Sequence, residues 1–394
     1  MHRPAENAME EKMNMEEIRD QIDNVDEELC SLFRKRMDLS LSMAKYKKEN
    51  TLAVFNQERE NQILHKVTNM LGEPLDKYGR ILYNTIFDVS RAYQHSYMDH
   101  NSELKEKIRT AVENTPALFP EKAAVACQGI AGAFSQAAAE KLFQFPTIMF
   151  FASFESVFNA VEKGMCKYGL LPIENSSYGS VGRVYDLMKS HNFNIVRVVR
   201  MKVTHKLLAN PGAKTEDIKE IISHEQAIGQ CSEFIRQLTE KNDVKITVCE
   251  NTALAAETVA KSGRTDIAAI SSRECAGIYG LQILSENIQV SDNNYTRFIC
   301  ISKNLEIYPG ASKISLMLTL PHRPMALYNM LARFSSLGLN LTKLESRNIP
   351  GSDFEFMFYF DIEASVLKEE VLDLLCELDL SPETFVFLGN YTEV

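Results

Sequence analysis

Residues 15–47 read MEEIRDQIDNVDEELCSLFRKRMDLSLSMAKYK, and their spacing decides how the first hundred residues fold. Ile18, Ile22, Val25, Leu29 and Leu32 recur at intervals of four, three, four and three, a coiled-coil-like stripe on one helix of about thirty residues. The helical pattern runs from Met15 to about Lys107, is broken once by Gly72 and Pro74, and resumes over Leu82 to Gln94. That predicts a long first helix, a shorter second and a long third. Three such helices make a thin core, so the sequence predicts that they pack against a second copy of the chain.

Continuing the stripe places Arg36 where its neighbours in the pattern, Leu39 and Met43, are apolar. A guanidinium withdrawn from water needs an anion, either a carboxylate of the protein or a ligand. Lys47 lies only about 20° around the same helix, so two cations share one face. Arg19 sits about 100° away and roughly 25 Å along the axis, so only the Arg19 of a second copy reaches that place. Ser90 and Gln94, four apart on the third helix, offer neutral hydrogen bonds from one face. The plainer alternative is solvated cations on an amphipathic surface, Lys47 snorkelling on its long stem; Arg36 within the seam opposes it.

Outward from this segment the language changes. After Thr115-Pro116 and Pro120, short apolar runs alternate with helical stretches, which is α/β patterning. Strands are predicted over Ala123 to Cys127, Thr147 to Phe151, Gly169 to Ile173, Ile195 to Val203, Glu220 to Ser223, Lys245 to Cys249 and Asp266 to Ile270. The tail from Lys313 reads strand, helix, strand, strand, helix, strand, the βαββαβ order of a ferredoxin-like α+β module.

Four motifs stand at strand ends, where open α/β sheets hold ligands. Gly129-Ile-Ala-Gly132-Ala-Phe-Ser135 offers backbone N–H groups and the Ser135 hydroxyl to an anion. Pro172-Ile-Glu-Asn-Ser-Ser-Tyr-Gly179 follows an apolar strand, Ser223-His224-Glu-Gln leads into a helix with His224 as a possible cap, and Asn294-Tyr-Thr-Arg-Phe298 opens a strand. Singly, each has an ordinary turn or cap reading.

Composition narrows the function classes. With 394 residues, 45% of them hydrophobic, two or three domains with ordinary cores are expected. No run approaches the ~20 apolar residues of a membrane span, and the polar stretch Met1 to Lys12 holds no apolar signal core, so a cytoplasmic location is expected and no membrane partner. A net charge of −10 opposes a nucleic-acid partner. The eight cysteines form no CxxC or Cys/His cluster, so reduced buried thiols are expected, with no metal and no cofactor.

Arg19, Arg36, Lys47, Arg59-Glu60, Ser90 and Gln94 fall in the order and spacing of the all-helical chorismate mutase family, which residues 12–107 resemble. The resemblance implies an intertwined helical dimer that binds chorismate through Arg19 of the second chain, Arg36, Lys47, Asn56, Arg59, Glu60, Ser90 and Gln94. It implies further that Lys47 and Gln94 donate to the ether oxygen whose bond breaks as prephenate forms. Asn56 stands where the family is usually acidic.

Taken in order, the four motifs make residues 122–305 resemble the prephenate dehydratase family. That implies two α/β lobes, like a periplasmic binding protein, with prephenate between them. Thr296 would be the catalytic residue and Arg297 a substrate-carboxylate ligand, with Ser135, Glu174, Asn175, Ser176, Gly179, His224 and Phe298 lining the cleft. The tail, residues 312–391, resembles the ACT regulatory domains, through Leu344-Glu-Ser-Arg347. That implies L-phenylalanine at an interface between chains, near Leu327, Asn340, Glu345, Ser346 and Arg347. Met325 and Asn348 replace the usual Gly and Pro.

The expectation is therefore a multidomain, two-activity enzyme of phenylalanine synthesis, converting chorismate to prephenate and prephenate to phenylpyruvate. It would be feedback-regulated and would assemble as a homodimer or dimer of dimers. A two-lobed protein that only senses a carboxylate would carry a signal peptide or a DNA-reading helix pair, and neither is found.

Overall fold

The computed structural model describes residues 14–50, 52, 54–97, 103–240, 242–322, 324–349, 355–380 and 384–394. The chain divides into two compact units, Met1–Asn101 and Ser102–Val394.

In the first unit, α1 (Met15–Glu49) and α2 (Gln57–Leu71) both pack on α3 (Asp76–Tyr97). Asn14 starts α1 by accepting from the backbone N–H groups of Glu16 and Glu17, and the Glu17 carboxylate accepts from the Asn14 N–H at 3.0 Å. This reciprocal cap fixes the entry to a helix whose first turn is acidic. The core of the unit lies toward the C-terminal half of α1, where Ala44, Val54, Val67 and Phe87 are buried. The predicted stripe is not covered within the chain: Ile22, Val25, Leu29 and Leu32 are 53%, 56%, 52% and 66% exposed.

Among the described residues, three sheets build the second unit. The first has the order β2 (Phe145–Phe151), β1 (Lys122–Gln128), β3 (Tyr168–Asn175), β11 (Tyr295–Ser302), β5 (Asn194–Lys202), with the short β4 (Gly179–Ser180) paired to β3. The second runs β10 (Gln282–Ser285), β6 (Lys206–Ala209), β9 (Ile267–Ser271), β7 (Glu220–Ser223), β8 (Lys245–Val248). The chain leaves the first sheet after β5, builds the second, and returns as β11 between β3 and β5. Both neighbours are antiparallel to β11. Two crossing segments therefore join the lobes, and the Val203 N–H donates to the Asn294 carbonyl at 2.8 Å where they meet.

The third sheet, β13 (Asn340–Asn348), β14 (Phe356–Glu363), β12 (Lys313–Thr319), β15 (Phe385–Tyr391), carries two helices, Ala326–Ser336 and Glu369–Asp379, the predicted βαββαβ arrangement. It packs on the first sheet through a shared core in which Leu171, Val198 and Ile299 meet Met317, Tyr359 and Tyr391. Gly389 marks how closely: a Cβ there would lie 2.1 Å from the Ile195 carbonyl oxygen, so only glycine admits this approach.

Residues 103–107, assigned from sequence to the helical module, belong instead to α4 (Glu103–Asn114) of the second unit. Leu104, Ile108 and Ala111 enter the core of the C-terminal sheet, and Lys105 pairs with Glu369 at 2.7 Å and Asp373 at 3.0 Å. A helical period alone does not reveal which core a helix joins.

Candidate functional site

Each unit holds one cluster. In the first, the Arg36 guanidinium donates to the Ser90 hydroxyl and lies 5.9 Å from the centre of the Phe87 ring. One Lys47 ammonium proton goes to the Val54 carbonyl at 2.5 Å and another to the Gln94 side-chain oxygen at 3.3 Å. Ser90 and Gln94 are buried, and the Gln94 amide is tied back to the Ser90 carbonyl at 3.2 Å. Among the described residues, neither Arg36 nor Lys47 forms an ion pair with a carboxylate of the chain. Burial lowers the pKa of both, with Glu60 as the nearby opposing charge for each. Two partly desolvated cations held by neutral partners leave positive potential for an anionic ligand.

Other residues of the predicted set take different places. Glu60 is bound by Arg91, which also pairs with Asp88; Arg91 went unnoticed in the sequence, although it sits one residue after Ser90. Asn56 caps α2, its side-chain oxygen accepting the Arg59 N–H at 2.9 Å, so this oxygen is occupied by the fold. Arg59 and Arg19 are exposed, and Arg19 lies on the first half of α1, away from Arg36.

The cluster of the second unit forms where β11 enters the first sheet. The Asn175 side-chain N–H donates to the Thr296 hydroxyl oxygen and to the Asn294 side-chain oxygen, both at 2.9 Å. Its own oxygen accepts from the Ser177 and Tyr178 N–H groups at 3.0 Å, fixing the amide's orientation. Gly179 closes this turn at φ 76°, in the left-handed region that suits glycine. Ser176 staples the turn to β11, donating to the Asn293 carbonyl and accepting from the Tyr295 N–H, each at 2.9 Å. Since Asn175 fills an acceptor site on Thr296, the Thr296 O–H is left to donate elsewhere.

The two lobes touch each other. Ser272 and Cys275 of the second lobe donate to the Gly132 carbonyl at 3.4 Å, and Tyr279 to the Ala131 carbonyl at 2.7 Å. A Cβ on Gly229 would fall 2.1 Å from the Tyr178 hydroxyl oxygen, so glycine admits that ring from across the lobes. His205, another residue that sequence reading missed, is buried in the crossing segment. It bonds through Nε2 to the Gln230 side chain at 2.6 Å and lies edge-on to Phe134. Burial lowers its pKa, which keeps the ring neutral.

The comparisons with known proteins follow this division. Residues 125–306 match the family model for prephenate dehydratase, and residues 18–95 match that for type II chorismate mutase. The protein named arogenate dehydratase/prephenate dehydratase 1, chloroplastic, of Arabidopsis thaliana is 38% identical over 287 residues, 68% of this chain and 72% of that one. The chain belongs to the prephenate dehydratase family. The bifunctional chorismate mutase/prephenate dehydratase of Aquifex aeolicus is 29% identical over 382 residues, 96% of this chain and 97% of its own. A prephenate dehydratase from Arthrobacter aurescens, solved in complex with L-Phe, superposes with a TM-score of 0.62 at 28% identity, covering 68% of this chain and 89% of that one. This member of the family is bifunctional, a chorismate mutase joined to a prephenate dehydratase. No described helix is long and apolar enough to cross a membrane.

Within the dehydratase, several expected cleft residues are engaged by the protein itself. Thr296 pairs with Asn175 and Arg297 with Glu174 across the same ladder, and successive residues of a strand face opposite sides. Arg297 therefore points away from Thr296. Its guanidinium lies 3.2 Å from Glu174, 3.2 Å from Asp361 and 3.3 Å from Glu393, with its charge taken up by the protein. Burial acts to lower its pKa, but Asp361 and Glu393 hold it above the ordinary value. Glu174 is gripped by Arg297 and, at 2.7 Å, by Lys343; burial opposes its ionisation, yet the two cations keep it below the usual carboxylate range. Phe298 and Ser135 are buried, Phe298 in the core and Ser135 donating to the Gln128 carbonyl at 2.7 Å. His224 caps the helix that follows it, Glu225–Gln230, accepting the Gln226 N–H at 3.3 Å.

The C-terminal strand β13 also divides by face. Lys343, Glu345 and Arg347 turn inward to the dehydratase: Glu345 accepts from Ser180 at 2.7 Å and Arg347 pairs with Asp186 at 2.9 Å. Glu345 and Arg347 are thus engaged as domain contacts and not as open ligand groups. Ser346 is exposed on the other face, Asn340 lies beyond a register shift between Leu341 and Lys343 and donates to the Glu363 carboxylate at 2.8 Å, and Leu327 packs on the local core. Met325 adopts φ 71° just before the helix Ala326–Ser336, a conformation that costs an L-residue about 1–2 kcal/mol and that glycine adopts freely.

Proposed function

We propose that the two clusters are the two active sites. In the first, Arg36 and the Arg19 of a second chain clamp the carboxylates of chorismate, and Lys47 and Gln94 stabilise negative charge at the breaking ether oxygen. The rearrangement needs no nucleophile or metal, only a folded substrate and charge stabilisation. The observation that supports this reading is a pair of half-buried cations on one face with neutral partners.

In the second, Thr296 gives its hydroxyl proton to the leaving ring hydroxyl of prephenate, which departs as water. The ring C–O bond breaks, the carboxylate on the ring carbon para to it leaves as CO₂, and its bonding electrons pass through the ring double bonds to complete the aromatic ring. The Asn175 amide steadies the oxygen left behind until solvent returns a proton. The observation that supports this is the 2.9 Å bond from Asn175 to the Thr296 oxygen. Plant relatives carry arogenate in their names; a chain that makes prephenate in its own first unit favours prephenate here.

The C-terminal module acts as an ACT domain that binds L-phenylalanine between chains, and the protein works in the cytoplasm. Purified protein given chorismate should yield prephenate and then phenylpyruvate, and millimolar phenylalanine should slow only the second product. Formation of prephenate alone, with arogenate consumed when offered separately, would replace prephenate by arogenate as the dehydratase substrate.

Dimerisation follows from the uncovered stripe on α1, since burying each of its apolar side chains is worth about 1.5–3 kcal/mol. Sedimentation velocity should return at least twice the 44.7 kDa of one chain. The doubly substituted V25E/L29E chain should sediment at a lower mass and lose mutase turnover together with the contributed Arg19. A monomeric wild type with full mutase activity would reject the shared site.

A further inference from the structure

The two rungs of the β3–β11 ladder that matter most have different fronts and backs. On the front, Asn175 holds Thr296. On the back, Glu174 and Arg297 meet a cluster supplied by the C-terminal sheet. Lys343 bonds to Glu174 and to the Ser180 hydroxyl, both at 2.7 Å, while Asp361 and Glu393 take Arg297. Lys313 pairs in turn with Glu393. With Glu345 3.8 Å from Lys343, three cations face four carboxylates, and Lys343 is only 14% exposed.

We propose that Lys343 is a positioning residue for the dehydratase, holding Glu174 and Ser180 so that the adjoining Asn175 amide stays on the Thr296 oxygen. The proposal rests on Thr296 being the catalytic residue. Glu174 and Ser180 flank the turn that carries Asn175, and β4 pairs both ends of it: Glu174 with Ser180 and Asn175 with Gly179. One ammonium therefore clamps both arms of the hairpin. Without it, Glu174 keeps Arg297 alone, and a partly buried carboxylate that has lost a partner draws toward water or toward the remaining cation. Neighbouring residues of a strand cannot move independently, so that shift carries Asn175 with it. A displacement of about 1 Å at a reacting group costs up to 10²-fold in rate. Lys343 touches no reacting atom; its effect reaches the chemistry through the backbone of β3. The C-terminal module thereby supports turnover even with no effector bound.

The experiment uses the full chain without phenylalanine. K343M should lower dehydratase kcat about 10- to 100-fold with KM changed less than about twofold, because the substrate contacts remain. K343R should restore most of the rate. Paired with E174Q, K343M should add little further loss, since both break the same contact. A folded K343M with kcat within twofold of wild type overturns the proposal, as does a loss carried by KM or one fully additive with E174Q. Should K343M fail to fold, K343Q is read by the same criteria. T296V separates the two levels: if it is inactive while K343M is fully active, only the positioning role falls, and if T296V is active the reading of Thr296 falls and takes the proposal with it.

Discussion

Replacing Thr296 with valine should cut prephenate consumption about 10²- to 10⁴-fold, the usual contribution of a positioned proton donor, while chorismate consumption stays at the wild-type rate. Valine keeps the β-branched shape that suits a strand, so the loss reports the hydroxyl and not the fold. The geometry behind the size of this effect is the direction of the bond. Asn175 donates to Thr296, leaving the Thr296 proton as the one available to a ligand. A hydroxyl is a weak acid in water, and a fixed amide donor makes it a stronger one by stabilising the conjugate oxygen. Asn175 cannot turn to accept instead, because its oxygen is already held by two backbone N–H groups. Stopped-flow measurement of both steps on one preparation checks the expectation; a T296V chain that turns over prephenate within tenfold of wild type would reject Thr296 as the donor.

Arg36 to alanine should have the mirror-image effect. Mutase kcat/KM should fall about 10²- to 10³-fold, the range found when one preorganised donor is removed from a charge-stabilising site, with the dehydratase unchanged when prephenate is supplied directly. Burial already lowers the Arg36 pKa, which says that its charge is incompletely compensated without a ligand. A dicarboxylate that completes the site recovers that deficit, and alanine cannot. R36K separates charge from shape: a lysine keeps the charge but not the planar fork, so it should retain only a minor part of the activity. If R36A abolished both activities at once, separate sites would be untenable.

How far these sites were legible in the sequence depends on which physical signal each residue leaves. Arg36 was visible because a cation interrupts an apolar period, and its proximity to Lys47 follows from helix geometry alone. Thr296 and Asn175 were visible as parts of motifs, and their contact needed the ladder. The partners of Arg297 were hidden for a related reason: adjacency in sequence places two residues on opposite faces of a strand, and only the structure says that the C-terminal sheet covers one of them. Glu345 and Arg347 share that cause, since the alternation of β13 was readable but not what lay beneath it. His205 and Arg91 left no periodic or motif signal, and α4 showed a clean helical period with nothing to reveal its core. The strands β6 and β10, four residues each, went unread although β7 and β8, equally short, were found, so length alone does not account for them.

The return of β11 to the middle of the first sheet has a consequence for how the chain reaches its native state. The partners Asn175 and Thr296 are 121 positions apart, with the whole second lobe between them. Helices α1 to α3 close through contacts nearer in sequence and are made first on the ribosome, whereas the dehydratase sheet stays open along β3 and β5 until residue 302 has emerged. Until then two apolar edges lack their neighbour, and slow synthesis or a destabilised second lobe would prolong the interval in which they can pair wrongly with another molecule.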